Sequence, residues 1–238
     1  MITVFKDKAV LNNEIASLFV DKANEAIQAK GKFTVALTGG SSPAGMYELL
    51  TTTYKTKVDW SKVFVFWCDE RWVPLQDERS NAGNAFSDFL NKVSIPENQI
   101  YPMYEDGIGA EAYAEKYSKY LEEILEDGEV FDVIFLGMGD DGHTASLFPG
   151  EAVIDEKDKK VAAYFLAPQN MYRITLTAPL INKAKNVIFM AFGEKKAHAL
   201  YEVLNGERNI KQYPAQIIQP GKGEAIWFVD EAAAKLLK

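Results

Sequence analysis

The chain has 238 residues, 47% of them hydrophobic, with one cysteine, two histidines and a formal net charge of −8. That length and apolar fraction suffice for a core without disulfide or metal staples, and one cysteine excludes both an intramolecular disulfide and a Cys-based metal site. The acidic balance opposes a nucleic-acid surface, no apolar run approaches the ~20 residues of a membrane span, and the opening MITVFKDKAV has no signal-peptide pattern. These features lead us to expect a cytoplasmic protein with one domain over residues 1–238 and neither nucleic-acid nor membrane partners. Nothing in the sequence calls for an oligomer, so a monomer is the simplest expectation.

Leu11, Ile15, Leu18, Phe19, Ala26 and Ile27 fall near helical spacing and predict an amphipathic helix over 12–30, ended by Gly31. Strand and helix then alternate. FTVALT (33–38) reads as a strand leading to a helix from Pro43, and VFVFWC (63–68) as a strand followed by a helix from about Ser80. A further helix presents Tyr113, Tyr117, Leu121 and Ile124 on one face and is stopped by Gly128. The run 132–136 lacks polar alternation, as a parallel strand buried on both faces should. Strands around 161–165 and 173–177, a strand at NVIFMAF (186–192), a helix over 194–204, a strand at AIWFV (225–229) and a short helix from Asp230 complete the chain. This order predicts an α/β fold of doubly wound type, a mainly parallel sheet with helices on both faces. The polar stretch 155–160 is too short for a linker and reads as a solvated loop, and Cys68, at the end of an apolar strand, reads as a packed core residue.

Three strands in this scheme run straight into polar turns. DVIFLGMGDDGHTASLFPG (132–150) passes from an apolar strand into Gly137, Gly139 and Gly142, the aspartates Asp140 and Asp141, and His143. Open α/β sheets place ligands beyond the carboxyl ends of their strands, so His143 is expected at a crevice mouth, although a tight connection with a structural histidine gives the same pattern. Thr38-Gly39-Gly40-Ser41-Ser42-Pro43 follows another strand and opens a helix. Its free amides and hydroxyls suit a phosphate, without the Walker lysine or the GxGxxG spacing of nucleotide sites; a plain helix start is the alternative. Asp69-Glu70-Arg71-Trp72-Val73-Pro74, with Ser80-Asn81 beyond it, leaves the third strand and brings a carboxylate and a forked guanidinium to the same edge, unless it is only an exposed ion-pair cluster. Arg173 in RITLTAPLIN and Lys196 near a helix start supply cations to an otherwise acidic protein, while His198 reads as structural or exposed.

Taken in order, TGGSSP, DERWVP with the later SN, GDDGHTASLFPG, RITLTAPLIN and GEKKAHAL resemble the 6-phosphogluconolactonase family over roughly 34–205. The resemblance implies the fold of sugar-phosphate isomerases and deaminases, hydrolysis of a phosphorylated sugar lactone in the pentose phosphate pathway, and no metal or organic cofactor. Carried over by position, it puts the family's histidine on His143 and its aspartates on Asp141 and Asp69. Its phosphate contacts fall on Gly39, Gly40, Ser41, Ser42, Arg71, Arg173 and Lys196. Lys195 is out of register, and Asp140 reads as a solvated acid. Two other readings stand beside it. Glucosamine-6-phosphate deaminases carry a related motif, DGHIAFNEP, but its glutamate aligns with Phe148 here, and a non-catalytic sugar-phosphate-binding regulator would share the fold. For lactone hydrolysis, an imidazole with an unperturbed pKa of about 6.5 suits activation of water. Asp141 or Asp69 would orient it, and amides of the 137–142 turn would stabilise the oxyanion. Ser146 lacks the GxSxG elbow of an acyl-enzyme nucleophile.

Overall fold

The computed structural model of the chain describes residues 1–125, 128 and 130–237. Its regular elements are β1 (Ile2–Phe5), α1 (Lys8–Lys30), β2 (Phe33–Leu37), α2 (Ala44–Thr51), β3 (Val63–Trp67), β4 (Asp69–Arg71), α3 (Asn81–Asp88), α4 (Ala110–Ile124), β5 (Val133–Gly137), β6 (Val161–Leu166), β7 (Met171–Leu176), α5 (Ala178–Ile181), β8 (Asn186–Ala191), α6 (Ala197–Asn205) and β9 (Glu224–Asp230). Six strands pair in parallel in the order β1-β9-β8-β5-β2-β3. Every residue of β2 and β8 is buried, because helices cover the sheet on both sides. Phe33 of β2 pairs with Val63 of β3, so Phe66, three residues on, points to the opposite face. Phe33 meets Phe19 of α1, with ring centroids 5.4 Å apart. Phe66 meets Tyr117 of α4 at 6.0 Å. The predicted fold class is therefore the observed one.

From β2 the chain steps out to β3 and then returns to the other side of β2 as β5. The order of winding reverses between β2 and β5, and at such a reversal the connections leave in opposite directions and open a crevice at the carboxyl ends of the strands.

The sequence reading did not anticipate that β4, β7 and β6 form a separate antiparallel sheet of three strands. β6 and β7 are joined by a short turn in which Asn170 takes φ 49°, a connection open to antiparallel strands and not to parallel ones. Cys68 is the junction between the two sheets. Its amide donates to the Leu37 carbonyl (2.8 Å) and its own carbonyl accepts from Leu176 N (2.7 Å). The thiol is fully buried against the Phe135 carbonyl, and burial, followed by the charge of Asp69, pushes its pKa up. This is the core role expected of it.

Other differences lie at the ends of elements. The short edge strand β1 was not foreseen, because it is half exposed and flanked by charge. Helix α1 starts at Lys8 rather than 12, since the Asp7 carboxylate accepts from Ala9 N (2.6 Å) and caps it. Residues 231–237 make turns and no helix, where a short helix from Asp230 was expected.

Phe19 is fully buried among the rings of Phe33, Trp60, Phe89 and Phe135. Phe19→Ala is expected to cost about 3–5 kcal/mol in urea unfolding. A loss below about 1 kcal/mol would mean that this face of the sheet closes over the cavity.

Candidate active site

A cleft of about 510 Å³ opens at the winding reversal. It takes in Thr38 to Ser42 beyond β2, Gly137 to Gly139 and His143 beyond β5, Asp69 and Arg71 of β4, Arg173 of β7 and Lys196 ahead of α6. Every predicted site residue except Asp141 lines it, and Asp141 is bonded directly to His143.

The loop after β2 comes close to its neighbours because two glycines permit it. Gly40 adopts φ 73°, and a Cβ on Gly39 would fall 1.8 Å from Asn81 Oδ1. Among the described residues, the amides of Gly40, Ser41 and Ser42 have no protein acceptor, and α2 starts beyond them without a side-chain cap. This leaves a row of donors at the positive end of a helix, where an anion is favoured.

On the β5 side, His143 Nδ1 lies 2.6 Å from Asp141 Oδ1, and the same oxygen accepts from the His143 amide at 3.0 Å. The carboxylate thus holds the proton on Nδ1 and leaves Nε2 as the basic nitrogen. Burial alone would raise the Asp141 pKa, but the hydrogen bond and charge of His143 outweigh it and hold the carboxyl below its ordinary value. The imidazole stacks on Phe148, with centroids 3.9 Å apart and planes 23° off parallel. Gly139 has to be glycine here, since a Cβ would fall 2.1 Å from His143 Nδ1 and 2.5 Å from Asp141 Oδ1. The turn consumes its own glycine amides. Gly137 donates to Thr38 Oγ1, Gly139 to the His143 carbonyl and Gly142 to the Gly139 carbonyl. The expected oxyanion donors are therefore not these three.

Asp69 takes a different partner from the one left open by the sequence. Its Oδ2 accepts from Arg173 Nη2 (2.8 Å) and Ser146 Oγ (2.6 Å), and Arg173 Nε donates to the same Ser146 oxygen (2.9 Å). Burial would raise this carboxyl, yet the charges of Arg173 and Arg71 and the hydrogen bonds from Ser146 and Arg173 bring it below its ordinary value. His143 is accordingly oriented by Asp141, and Ser146 is fully buried with its hydroxyl engaged. Arg71 spends Nη1 on the Arg79 carbonyl (2.8 Å). Lys196 pairs with Asp140 (2.7 Å), so Asp140 is not the lone solvated acid expected. His198 sits near Tyr213, outside the cleft.

Sequence reasoning assigned no role to three residues here, Glu70 and Asn81 having been named only as parts of their motifs. Glu70 lies between the two residues it did select, yet it is fully buried. It accepts from the amides of Arg71, Asn81 and Ala82 and from Ser80 Oγ, tying β4 to the start of α3. Asn81 donates to the Asp69 carbonyl (3.0 Å) and walls the glycine loop. Lys8 reaches the cleft from the first turn of α1.

A histidine–carboxylate pair facing open amides and cations across the switch point of a parallel sheet is the arrangement of an α/β protein that handles a small anionic ligand. The chain belongs to the family of glucosamine-6-phosphate isomerases and 6-phosphogluconolactonases, whose model matches residues 6–227. It is 37% identical to the 6-phosphogluconolactonase of Synechocystis, over 100% of this chain and 98% of that protein. It is 34% identical to a probable chloroplastic 6-phosphogluconolactonase of rice, over 99% of this chain and 76% of the relative. Its fold superposes on the solved structure of 6-phosphogluconolactonase from Trypanosoma brucei with a TM-score of 0.87 at 26% identity, covering 100% of this chain and 98% of the other.

Burial pushes the Glu70 carboxyl up to about 7, against the opposing pull of its backbone donors. Raised in the folded state, this group stabilises the protein fully below its unfolded pKa of about 4.3 and loses that contribution as pH climbs through 7. Unfolding free energy is expected to fall by up to about 3 kcal/mol from pH 4.5 to 7.5 through Glu70, and Glu70→Gln should flatten that part of the profile. An unchanged slope in the variant would show that Glu70 is ionised throughout.

Proposed function

We propose that this protein hydrolyses 6-phospho-D-glucono-1,5-lactone to 6-phospho-D-gluconate, as a cytoplasmic step of the oxidative pentose phosphate pathway. The observation that carries this reading is the 2.6 Å bond between His143 Nδ1 and Asp141 in a cleft facing the amides of Gly40 to Ser42. It gives a base and an anion seat within one crevice. His143 Nε2 takes a proton from water as the water oxygen attacks C1, and the carbonyl electrons move to oxygen. When the tetrahedral intermediate collapses, the bond from C1 to the ring oxygen breaks, and His143 returns the proton to that oxygen. The acid formed gives its own proton to solvent. Asp141 holds the imidazole tautomer and stabilises the imidazolium formed midway. Gly39, Gly40, Ser41 and Ser42 supply amides and hydroxyls to the phosphate, and Arg71, Lys196 and Arg173 supply charge. Asp69 anchors Arg173.

The whole chain acts as one domain in this reading, without a metal. Among the described residues no three His, Cys, Asp or Glu side chains form a metal-holding group, and none of the helices is long and apolar enough to cross a membrane. The amino-sugar deaminase reading is disfavoured by Phe148. Its ring, not a carboxylate, lies beneath His143, and it also meets the Arg173 guanidinium at 5.5 Å. A proton relay for ring opening and deamination has no acid at that point.

Side-by-side assays with 6-phosphogluconolactone and glucosamine-6-phosphate, corrected for spontaneous lactone opening, test the reading directly, and ammonia release would overturn it. His143→Ala is expected to lower kcat about 10²–10⁴-fold with substrate affinity retained. Unchanged turnover removes His143 from the mechanism. Lys196→Ala should raise KM and the inhibition constant for inorganic phosphate roughly 10- to 150-fold, the usual worth of a charged hydrogen bond. Equal phosphate inhibition of variant and wild type would place the seat elsewhere.

A further inference from the structure

The cations of the cleft differ once their partners are considered. Arg173 is held by Asp69 and Lys196 by Asp140, and Arg71 gives one donor to a backbone carbonyl. Lys8 lines the same cleft, and among the described residues its ammonium has no carboxylate or carbonyl partner. Asp230 is the other acid lining the cleft besides Asp69. Both of its oxygens accept from the amide of Gly193 (3.0 and 2.9 Å) and one of them from that of Ala233 (2.8 Å), and among the described residues it forms no ion pair with Lys8.

The placement of Lys8 also works against its own helix. It is the first residue of α1, a 23-residue helix with no acidic side chain in its first turn. The Asp7 carboxylate caps two of the amides there, accepting from Ala9 N and Val10 N, while the macrodipole still disfavours a cation in that turn. Lys6, two residues earlier, has the ordinary arrangement of a surface lysine, lying 3.9 Å from Glu231. An ammonium without a carboxylate or carbonyl partner at the unfavourable end of a helix, lining the same cleft as a row of open amides, favours an anion between them.

We propose that Lys8 is a substrate-binding residue. Its ammonium contacts the phosphate dianion seated on the amides of Gly40 to Ser42 and supplies charge that Arg173 and Lys196 share with Asp69 and Asp140. The proposal rests on the reading of the substrate as a phosphorylated sugar lactone. The charge that costs α1 stability is repaid when the anion binds, so binding and folding make opposite demands on this position.

The test uses Lys8→Gln and Lys8→Glu, with Lys6→Gln as control. Three quantities are measured: steady-state constants on 6-phosphogluconolactone and on phosphate-free gluconolactone, the inhibition constant of inorganic phosphate, and Tm without ligand. Lys8→Gln is expected to raise KM and the phosphate inhibition constant roughly 10-fold or more, with Lys8→Glu more severe and the loss falling on KM rather than kcat. Lys8→Glu should also raise Tm while Lys6→Gln stays at wild-type constants. Phosphate inhibition equal to wild type in both Lys8 variants, or an equal loss on the phosphate-free lactone, would overturn the proposal. If the wild type hydrolyses neither lactone, the functional reading fails separately, and calorimetric titration of wild type and Lys8→Gln with inorganic phosphate still decides the role of Lys8. Weaker binding in the variant supports it and equal binding refutes it.

Discussion

Asp69 and Arg173 are each about 95% or more buried and stand 2.8 Å apart. Two charges taken out of water cost several kcal/mol each, and their attraction repays this only when the remaining donors and acceptors are also satisfied. Here they are. Ser146 donates to Asp69 and accepts from Arg173, and Gln169 accepts a further guanidinium proton. Asp69 begins β4 immediately after the junction residue of the main sheet, and Arg173 belongs to β7. The pair therefore ties two neighbouring strands of the small antiparallel sheet together, and through Ser146, in the loop beyond β5, it holds that sheet against the large one. Because Ser146 lies three residues beyond His143, the clamp also fixes the segment that carries the imidazole. Ser146 is held further by Thr175 at its amide and Tyr164 at its carbonyl. The base is placed by a network in which Asp69 and Arg173 also line the cleft, while Ser146, Thr175 and Tyr164 lie behind it.

Patterns local in the chain were legible in the sequence. The unbroken apolar runs of β2, β3, β5 and β8 announced strands covered on both faces, and the turns that follow β2, β3 and β5 announced chemistry at one sheet edge. All of those turns converge on one cleft. The helix ends at Gly31 and Ser80 were equally readable, since left-handed glycine and a serine cap are decided by residues within one turn.

Pairings across the fold were not legible. Whether Asp69 or Asp141 reaches His143 depends on where β7 delivers Arg173, which no spacing along the chain encodes. Glu70 sat unremarked between two selected residues because strand alternation turns it away from the cleft and into the start of α3. Lys8 was invisible for a related reason, since the amino end of α1 comes to the same cleft as the β2 loop only after the sheet has been assembled. The small sheet was read as strands without an address, because alternation predicts a strand but not its neighbour.

Cys68 has a practical consequence. It is the sole thiol of the protein, fully enclosed where the two sheets exchange hydrogen bonds through its own amide and carbonyl. A thiol reagent can reach it only when that seam parts, so its labelling rate in native buffer is a clock for the seam's opening. The chain thus contains its own spectroscopically silent reporter of native-state breathing, one residue away from the clamp on the histidine loop.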